Sequence, residues 1–291
     1  MSVPLSLAEG LSPPAPRFGT LRRVLRGSWP PFTVVIVIAL VAIFAPLVTR
    51  YDPESGGMNA LLPPLSPGHV LGTDNIGRDI WAQLAYGARV SLAVGILAAL
   101  SALSLGVLIG AAAGYFGGVA DTVLMRMAEF FQTLPRFILA LIIVALFGAG
   151  IGKLIFVLAI LSWPQTARVA RVGVTSFKSA PFVDAARVCG MPDGAIVLRE
   201  ILPNALAPIV VVTSLDVAAA ILLEAGLSFL GLGDPNLPSW GGMLHVAQDY
   251  LHEAWWMSVF PGLAIAMTVT AFNRIGDGLN DALNPKLRGG A

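Results

Sequence analysis

The chain has 291 residues, of which 56% are hydrophobic and 12% charged, against about 25% charged in ordinary soluble domains. Eighteen basic and seventeen acidic residues leave a net charge of +1, which excludes the strong basic excess of a nucleic-acid binder. The apolar residues come in blocks long enough to cross a bilayer, which takes about 20 residues at ~1.5 Å each, and the single cysteine, Cys189, cannot form an internal disulfide.

Residues 1–31 read as a cytoplasmic tail. Pro13, Pro14 and Pro16 loosen its first half, and Arg17, Arg22, Arg23 and Arg26 suit a lipid surface. The first apolar block, 32–49, is uncharged. The tail before it is too long for the n-region of a cleavable signal and no A-x-A-like site follows, so residues 32–50 read as a retained transmembrane helix. A loop at 51–87 follows. The second block, 90–120, has no charge over 31 residues. The third, 123–147, carries Arg126, Glu129 and Arg136 in its first half, and the fourth, 154–167, is short. Both suit helices surrounded by other helices. The fifth, 204–230, contains Asp216 and Glu224, and the sixth, 254–273, is uncharged. The blocks predict an all-α polytopic membrane protein with six transmembrane helices, five of them in a core at 88–283, and a second tail at 284–291.

Lys and Arg set the orientation. They gather in the tail, in the fourth-to-fifth connection (Arg168, Arg171, Lys178, Arg187, Arg199) and at the C-terminal end (Arg274, Lys286, Arg288). The loop at 231–253 has none, and the loop at 51–87 has only Arg78. Six spans put the basic regions on one side, so both termini and the connection at 176–203 are predicted to be cytoplasmic.

Within the second block Gly106, Gly110, Gly114 and Gly118 recur every four residues, continued backwards by Ala102 and Ala98. This spacing makes one slim helix face, for packing inside the chain or against another subunit. Trp240, Trp255 and Trp256 flank the sixth block as interfacial anchors.

Enzyme signatures are missing: there is no G-x-S-x-G, no H-E-x-x-H and no Cys/His cluster. GAGIGKL at 148–154 is too short between its glycines for a phosphate loop, and Leu154 stands where a Mg²⁺-binding Ser/Thr would be needed. It reads as a tight turn. His69, His245 and His252 read as surface residues, and no metal site is expected. Asp216 and Glu224 carry more weight. A carboxylate near the centre of a span costs roughly 2.5–3.5 kcal/mol, so such groups face a bundle interior or an aqueous path. A structural hydrogen bond is the competing reading for both.

The connection contains DAARVCGMPDGAIVLREILPN at 184–204, too charged for hydrocarbon and too patterned for a slack loop. Pro181 can begin a first helix with Ser179 as its cap, and Gly190 can end it in the left-handed C′ position. Pro192 and Asp193 suit the first turn of a second helix, which Pro203 would close before the fifth span. Helix, sharp bend and helix make a knuckle, slim at Ala185, Ala186 and Gly190, able to enter a cleft in a partner.

This stretch resembles the EAA loop of bacterial binding-protein-dependent ABC importers: Asp184-Ala185-Ala186, Gly190 and Leu202-Pro203 fall at the matching spacing, with Asp184 in place of the usual Glu. LGTDNIGRDIWAQLAYGARVSLAVG at 71–95, LLEAGLSFLGLG at 222–233, PSWGGML at 238–244 and the stretch 255–285 are similar to the C-type permease subunit of oligopeptide, dipeptide and nickel importers. The resemblance implies a type I ABC importer permease fold and a heteromer: a second homologous permease, two cytoplasmic ATPases that bind ATP and Mg, and an extracytoplasmic substrate-binding protein. No cofactor is expected on this chain. In such systems the EAA loop passes ATPase movement to the spans. Asp184, Ala185, Ala186 and Gly190 would form the ATPase contact, tied to the fifth span by Leu202 and Pro203. Glu224 and Asp216 would lie near the translocation path, and Gly72, Thr73, Asp74, Gly77, Arg78 and Asp79 at the outer entrance. Short peptides are the expected cargo, with nickel or another small solute as the alternative. A proton-coupled carrier would leave the knuckle unexplained.

Overall fold

The computed structural model describes residues 29–283, and its regular elements are all helical. The tails, with Arg17, Arg22, Arg23, Arg26, Lys286 and Arg288, lie outside the described residues. In chain order the helices are α1 (Trp29–Ile43), a short α2 (Ala45–Val48), α3 (Ile80–Phe116), α4 (Gly118–Thr133), α5 (Arg136–Phe147), α6 (Ile151–Phe177), α7 (Pro181–Val188), α8 (Asp193–Ala195), α9 (Leu202–Phe229), α10 (Trp240–Ala247) and α11 (Trp256–Leu283). Three stretches are long and apolar enough to cross a membrane: Ile80–Phe116, Asp193–Phe229 and Trp256–Ala282. The pair α4 and α5 passes the same test jointly but is bent by 85°.

That bend corrects the reading of 123–147 as one rod. Pro135 follows Leu134, whose ψ is 136°, because a residue before proline is pushed out of the helical region. Helix α3 starts ten residues before its apolar block. Asp79 accepts a 2.8 Å hydrogen bond from the Ala82 N–H as N-cap, and Arg89, charged and inside the helix, donates to the carbonyls of Ala42 and Ile43 at the end of α1. It stops at Gly117 and Gly118, both at positive φ. Helix α6 likewise outruns its apolar block. Its basic end is held by α4, where Arg171 pairs with Asp121 and Arg168 lies 3.9 Å from Glu129.

The closest packing joins α3 to α6. A Cβ on Gly106 would stand 2.9 Å from the Trp163 carbonyl oxygen, and one on Gly114 would stand 2.7 Å from that of Arg171. The glycine stripe therefore serves contact inside the chain. Gly118 does not join it: it opens α4, and a Cβ added there would meet nothing within 4 Å.

The helices run between two differently built ends. At one end Trp81 donates to the Val48 carbonyl (3.1 Å), Trp240 to that of Leu84 (3.0 Å) and Trp256 to that of Thr73 (3.1 Å). Trp240 and Trp256 are buried, so of the three expected interfacial tryptophans only Trp255 is exposed. They pin the loops at 51–79 and 231–255 onto the bundle. At the other end Tyr115, Val174, Val183, Ile196 and Ile201 form a buried cluster under the segment 178–203. The start of α1, at Pro30 and Pro31, shares a cavity with Arg274, Asp277 and Asp281 of α11.

Candidate functional site

The bent element at 178–203 is a patterned feature with an exposed face. Pro181 takes the first helical position of α7. The N-cap is Ala180, with no side-chain bond, so Ser179 does not cap the helix. Gly190 ends it at φ +77°. Its N–H donates to the Arg187 carbonyl (2.9 Å), and the Met191 N–H donates to that of Ala186 (3.1 Å). These two bonds are the Schellman pair that satisfies the last helical carbonyls. Asp184, Ala185, Val188 and Gly190 are exposed, with Val188 at 90%, while Val183 is buried beneath them. Arg187 donates to Asp184 at 3.1 Å.

The second arm departs from expectation. Pro192 is the N-cap rather than part of the first turn, and Pro203 does not end the helix. From Asp193 the chain stays helical to Phe229, passing through a π-helical turn at Ile196–Ile201. Pro203 has no N–H to offer the carbonyl four residues back, and its ring crowds that carbonyl. The wider turn relieves the crowding, and the Asn204 side chain donates to the Glu200 carbonyl at 2.7 Å. Leu202 and Pro203 therefore sit inside one continuous helix that joins the knuckle to the bundle.

Asp216 and Glu224 are both buried in α9. Asp216 accepts a 3.2 Å hydrogen bond from the Thr166 hydroxyl of α6. Glu224 accepts from Ser91 of α3 (3.1 Å) and from Ser228 one turn on (2.7 Å). The Ser91 oxygen in turn accepts from the Trp240 N–H (3.4 Å). The carboxylate thus joins α3, α9 and the start of α10. At the tryptophan-held end, Ser228 and Ser239 line a cavity of about 510 Å³, together with Arg78, Gln83, Asp234 and His245. Among the described residues no hydrogen bond links Asp216 to Glu224. Ser91 and Thr166 carry no sequence signal as partners; only Ser228, four residues after Glu224, was legible as a helical neighbour.

The segment 72–79, expected at the outer entrance, is a knot. Asp74 is buried and accepts from the backbone N–H groups of Ile76 (3.0 Å) and Arg78 (2.8 Å), from the Arg78 guanidinium (2.7 Å) and from the Gln83 amide (3.0 Å). The Thr73 hydroxyl donates to the Asn59 carbonyl at 2.8 Å and accepts from the Leu62 N–H at 2.9 Å. Gly72 and Gly77 have positive φ, and a Cβ on either would strike backbone: the Leu62 carbonyl oxygen at 2.4 Å and that of Gly57 at 2.3 Å. Asp79 also bonds His69 at 2.8 Å, and His69 stacks on Tyr51. That corrects the reading of His69 as a plain surface residue. Among the described residues no three metal-ligating side chains come together. Gly148 and Gly150, both at positive φ, make the turn between α5 and α6.

Residues 106–289 match the model of the family described as binding-protein-dependent transport system inner membrane component. The chain belongs to that family. This permease is 42% identical over 261 residues to the dipeptide transport system permease protein of Escherichia coli (strain K12), covering 87% of each chain. It is 41% identical over 257 residues to the dipeptide transport system permease protein of Alkalihalophilus pseudofirmus, covering 88% of this chain and 84% of the relative. The glutathione transport system permease protein of Pectobacterium atrosepticum is 39% identical over 256 residues, covering 87% and 85%. The permease is thus a multi-pass membrane component of a transport system rather than an enzyme, and its system includes a binding protein. The family match spans the bent element, Asp216 and Glu224, and begins after the knot at 72–79.

Proposed function

We propose that this permease forms half of the translocation path of an ATP-driven importer of short peptides. The observation that carries the reading is the bent element. It presents an exposed knuckle, Asp184 to Gly190, backed by a helix that runs unbroken from Asp193 to Phe229. A rigid connection of that kind passes displacement at the knuckle into the bundle. The same segment carries the EAA-type spacing.

Two cytoplasmic ATPases receive the knuckle and bind ATP and Mg. A homologous second permease completes the path, and the binding protein delivers cargo to the opposite end. The chain crosses six times, through α1, α3, the bent pair α4 and α5, α6, α9 and α11. The basic residues around α7 support placing that end, with both termini, in the cytoplasm. Glu224 and Asp216 lie beside the path, and the knot at Gly72, Thr73, Asp74, Gly77, Arg78 and Asp79 shapes the outer entrance. The names of the relatives support peptides over nickel as cargo.

The test is uptake by membrane vesicles containing the assembled system. Labelled dipeptide uptake is expected to require ATP and the binding protein, to persist under a proton uncoupler, and to be competed by unlabelled dipeptide but not by nickel. Uptake abolished by the uncoupler while ATP stays high would overturn the reading.

A further inference from the structure

For the knuckle to pass movement into the bundle, its angle to the neighbouring helices has to be fixed. One side chain stands at that junction. Tyr115, in the last turn of α3, is 6% exposed. Its hydroxyl donates to the Asp193 carboxylate, the residue that opens the second arm. Its ring faces the Arg187 guanidinium of the first arm at 5.9 Å, and the Lys178 ammonium of the approach to that arm at 5.6 Å. Three separate stretches of the bent element therefore converge on a single residue that belongs to none of them.

Apolar packing alone would not set this angle. The cluster beneath the element, Val183, Ile196 and Ile201 with Ala111 and Val174, is held by non-directional burial, which tolerates sliding. A hydrogen bond to a carboxylate is directional and stronger than a neutral one, and cations over an aromatic face add attraction from two further directions. Arg187 is also bonded to Asp184, so the exposed end of the knuckle is linked through one ion pair to the Tyr115 ring.

The helix that carries Tyr115 suits the role. Helices α6, α9 and α11 each carry a proline inside them, at Pro164, Pro208 and Pro261. α3 has no proline over its 37 residues, about 55 Å at ~1.5 Å rise per residue. Its other end holds the loops at 51–79 and 231–255, through Gln83 on Asp74 and the Leu84 carbonyl on Trp240, and meets α9 through Ser91 on Glu224. A bond from Tyr115 to Asp193 thus ties the knuckle to one continuous helix whose far end, at Gln83, meets the cavity lined by Ser228 and Ser239.

We infer that Tyr115 is a positioning residue for energy coupling: its hydroxyl, bonded to Asp193, fixes the bent element to α3 so that ATPase closure moves α3 together with α9. This rests on the proposed function, since it requires that ATPases receive the knuckle.

The experiment uses the full transporter reconstituted in liposomes with its binding protein, and reads dipeptide transported per ATP hydrolysed. Tyr115→Phe keeps the ring, the packing and the cation contacts and removes only the hydroxyl; Asp193→Ala removes the acceptor. Each is expected to lower the ratio by about ten- to a hundredfold, the range set by one hydrogen bond to a charged group, while the ATPases still co-purify. The double variant is expected to lose no more than either single one. Asp193→Asn, which still offers a carbonyl oxygen but no charge, is expected to recover part of the ratio. A wild-type ratio in Tyr115→Phe, or losses that add in the double variant, overturns the inference and leaves the proposed function standing. Failure of the unaltered chain to bind ATPases overturns both.

Discussion

Gly110 of α3 lies so close to Ala167 of α6 that a Cβ on it would stand 2.2 Å from the Ala167 carbonyl oxygen. Gly106 meets the carbonyl of Trp163 and Gly114 that of Arg171 in the same way. Both series step by four, so a ridge of one helix runs along a matching ridge of the other, backbone against backbone. Carbonyl oxygens on a helix cannot rotate away. Gly110→Val is therefore expected to push α3 and α6 apart and to cost about 1–3 kcal/mol or more, seen as a lowered thermal midpoint in detergent. Gly152→Ala, with nothing within 4 Å of the added methyl, should be neutral or slightly stabilising, because alanine is the better helix former. Equal midpoints for the two variants would refute the packing account.

At Gly190 the strain is in the backbone. Nothing lies within 4 Å of a side chain added there, but φ is +77°, which costs an ordinary residue about 1–2 kcal/mol. Gly190→Val is expected to break the Schellman pair and re-aim the knuckle without disturbing insertion of the spans. ATPase recovered on co-purification should fall several-fold. Gly190→Asn should retain most of it, since asparagine accepts the left-handed geometry. Undiminished recovery with valine would count against the docking role.

The sequence showed much of this architecture because lipid and close packing both leave a strong imprint. Uncharged runs marked the cores of α1, α3 and α11, the four-residue glycine step marked the α3 face, and Gly190 followed by Pro192 marked the bend. What stayed hidden was decided by partners distant in sequence. Arg89 continues α3 because two carbonyls of α1 receive it. Pro203, an ordinary stop signal, is absorbed by a π turn. The hydroxyls bonded to Glu224 come from positions 91 and 228, and a serine inside an apolar run looks the same whether it binds a carboxylate or its own helix.

Asp74 gives a test of the outer knot. It accepts four hydrogen bonds, two from backbone and two from side chains, one of these from the Arg78 guanidinium. Asp74→Asn turns one oxygen into a donor facing other donors and leaves Arg78 without its counter-charge. The expected loss is roughly 3 kcal/mol, the scale for breaking a buried pair by removing one partner. It should be local, appearing as faster proteolysis within residues 52–79 at an almost unchanged rate within 178–203. Wild-type protection of the outer segment would show that the knot does not depend on Asp74.

Glu224 separates a structural carboxylate from one that merely lies near the path. Both its oxygens accept from serine hydroxyls, 2.7 Å from Ser228 and 3.1 Å from Ser91. In Glu224→Gln an amide N–H₂ must replace one acceptor, so at least one serine has to turn its proton elsewhere. The expected cost is about 1–3 kcal/mol, read as a lowered thermal midpoint. Glu224→Ala leaves the hydroxyls unpaired around a new void and should cost more, about 2–5 kcal/mol. Because the same carboxylate joins α3, α9 and the start of α10 beside the cavity lined by Ser228 and Ser239, both variants should also slow dipeptide uptake at equal amounts of assembled transporter. A glutamine variant with the wild-type midpoint and wild-type uptake would remove Glu224 from both roles.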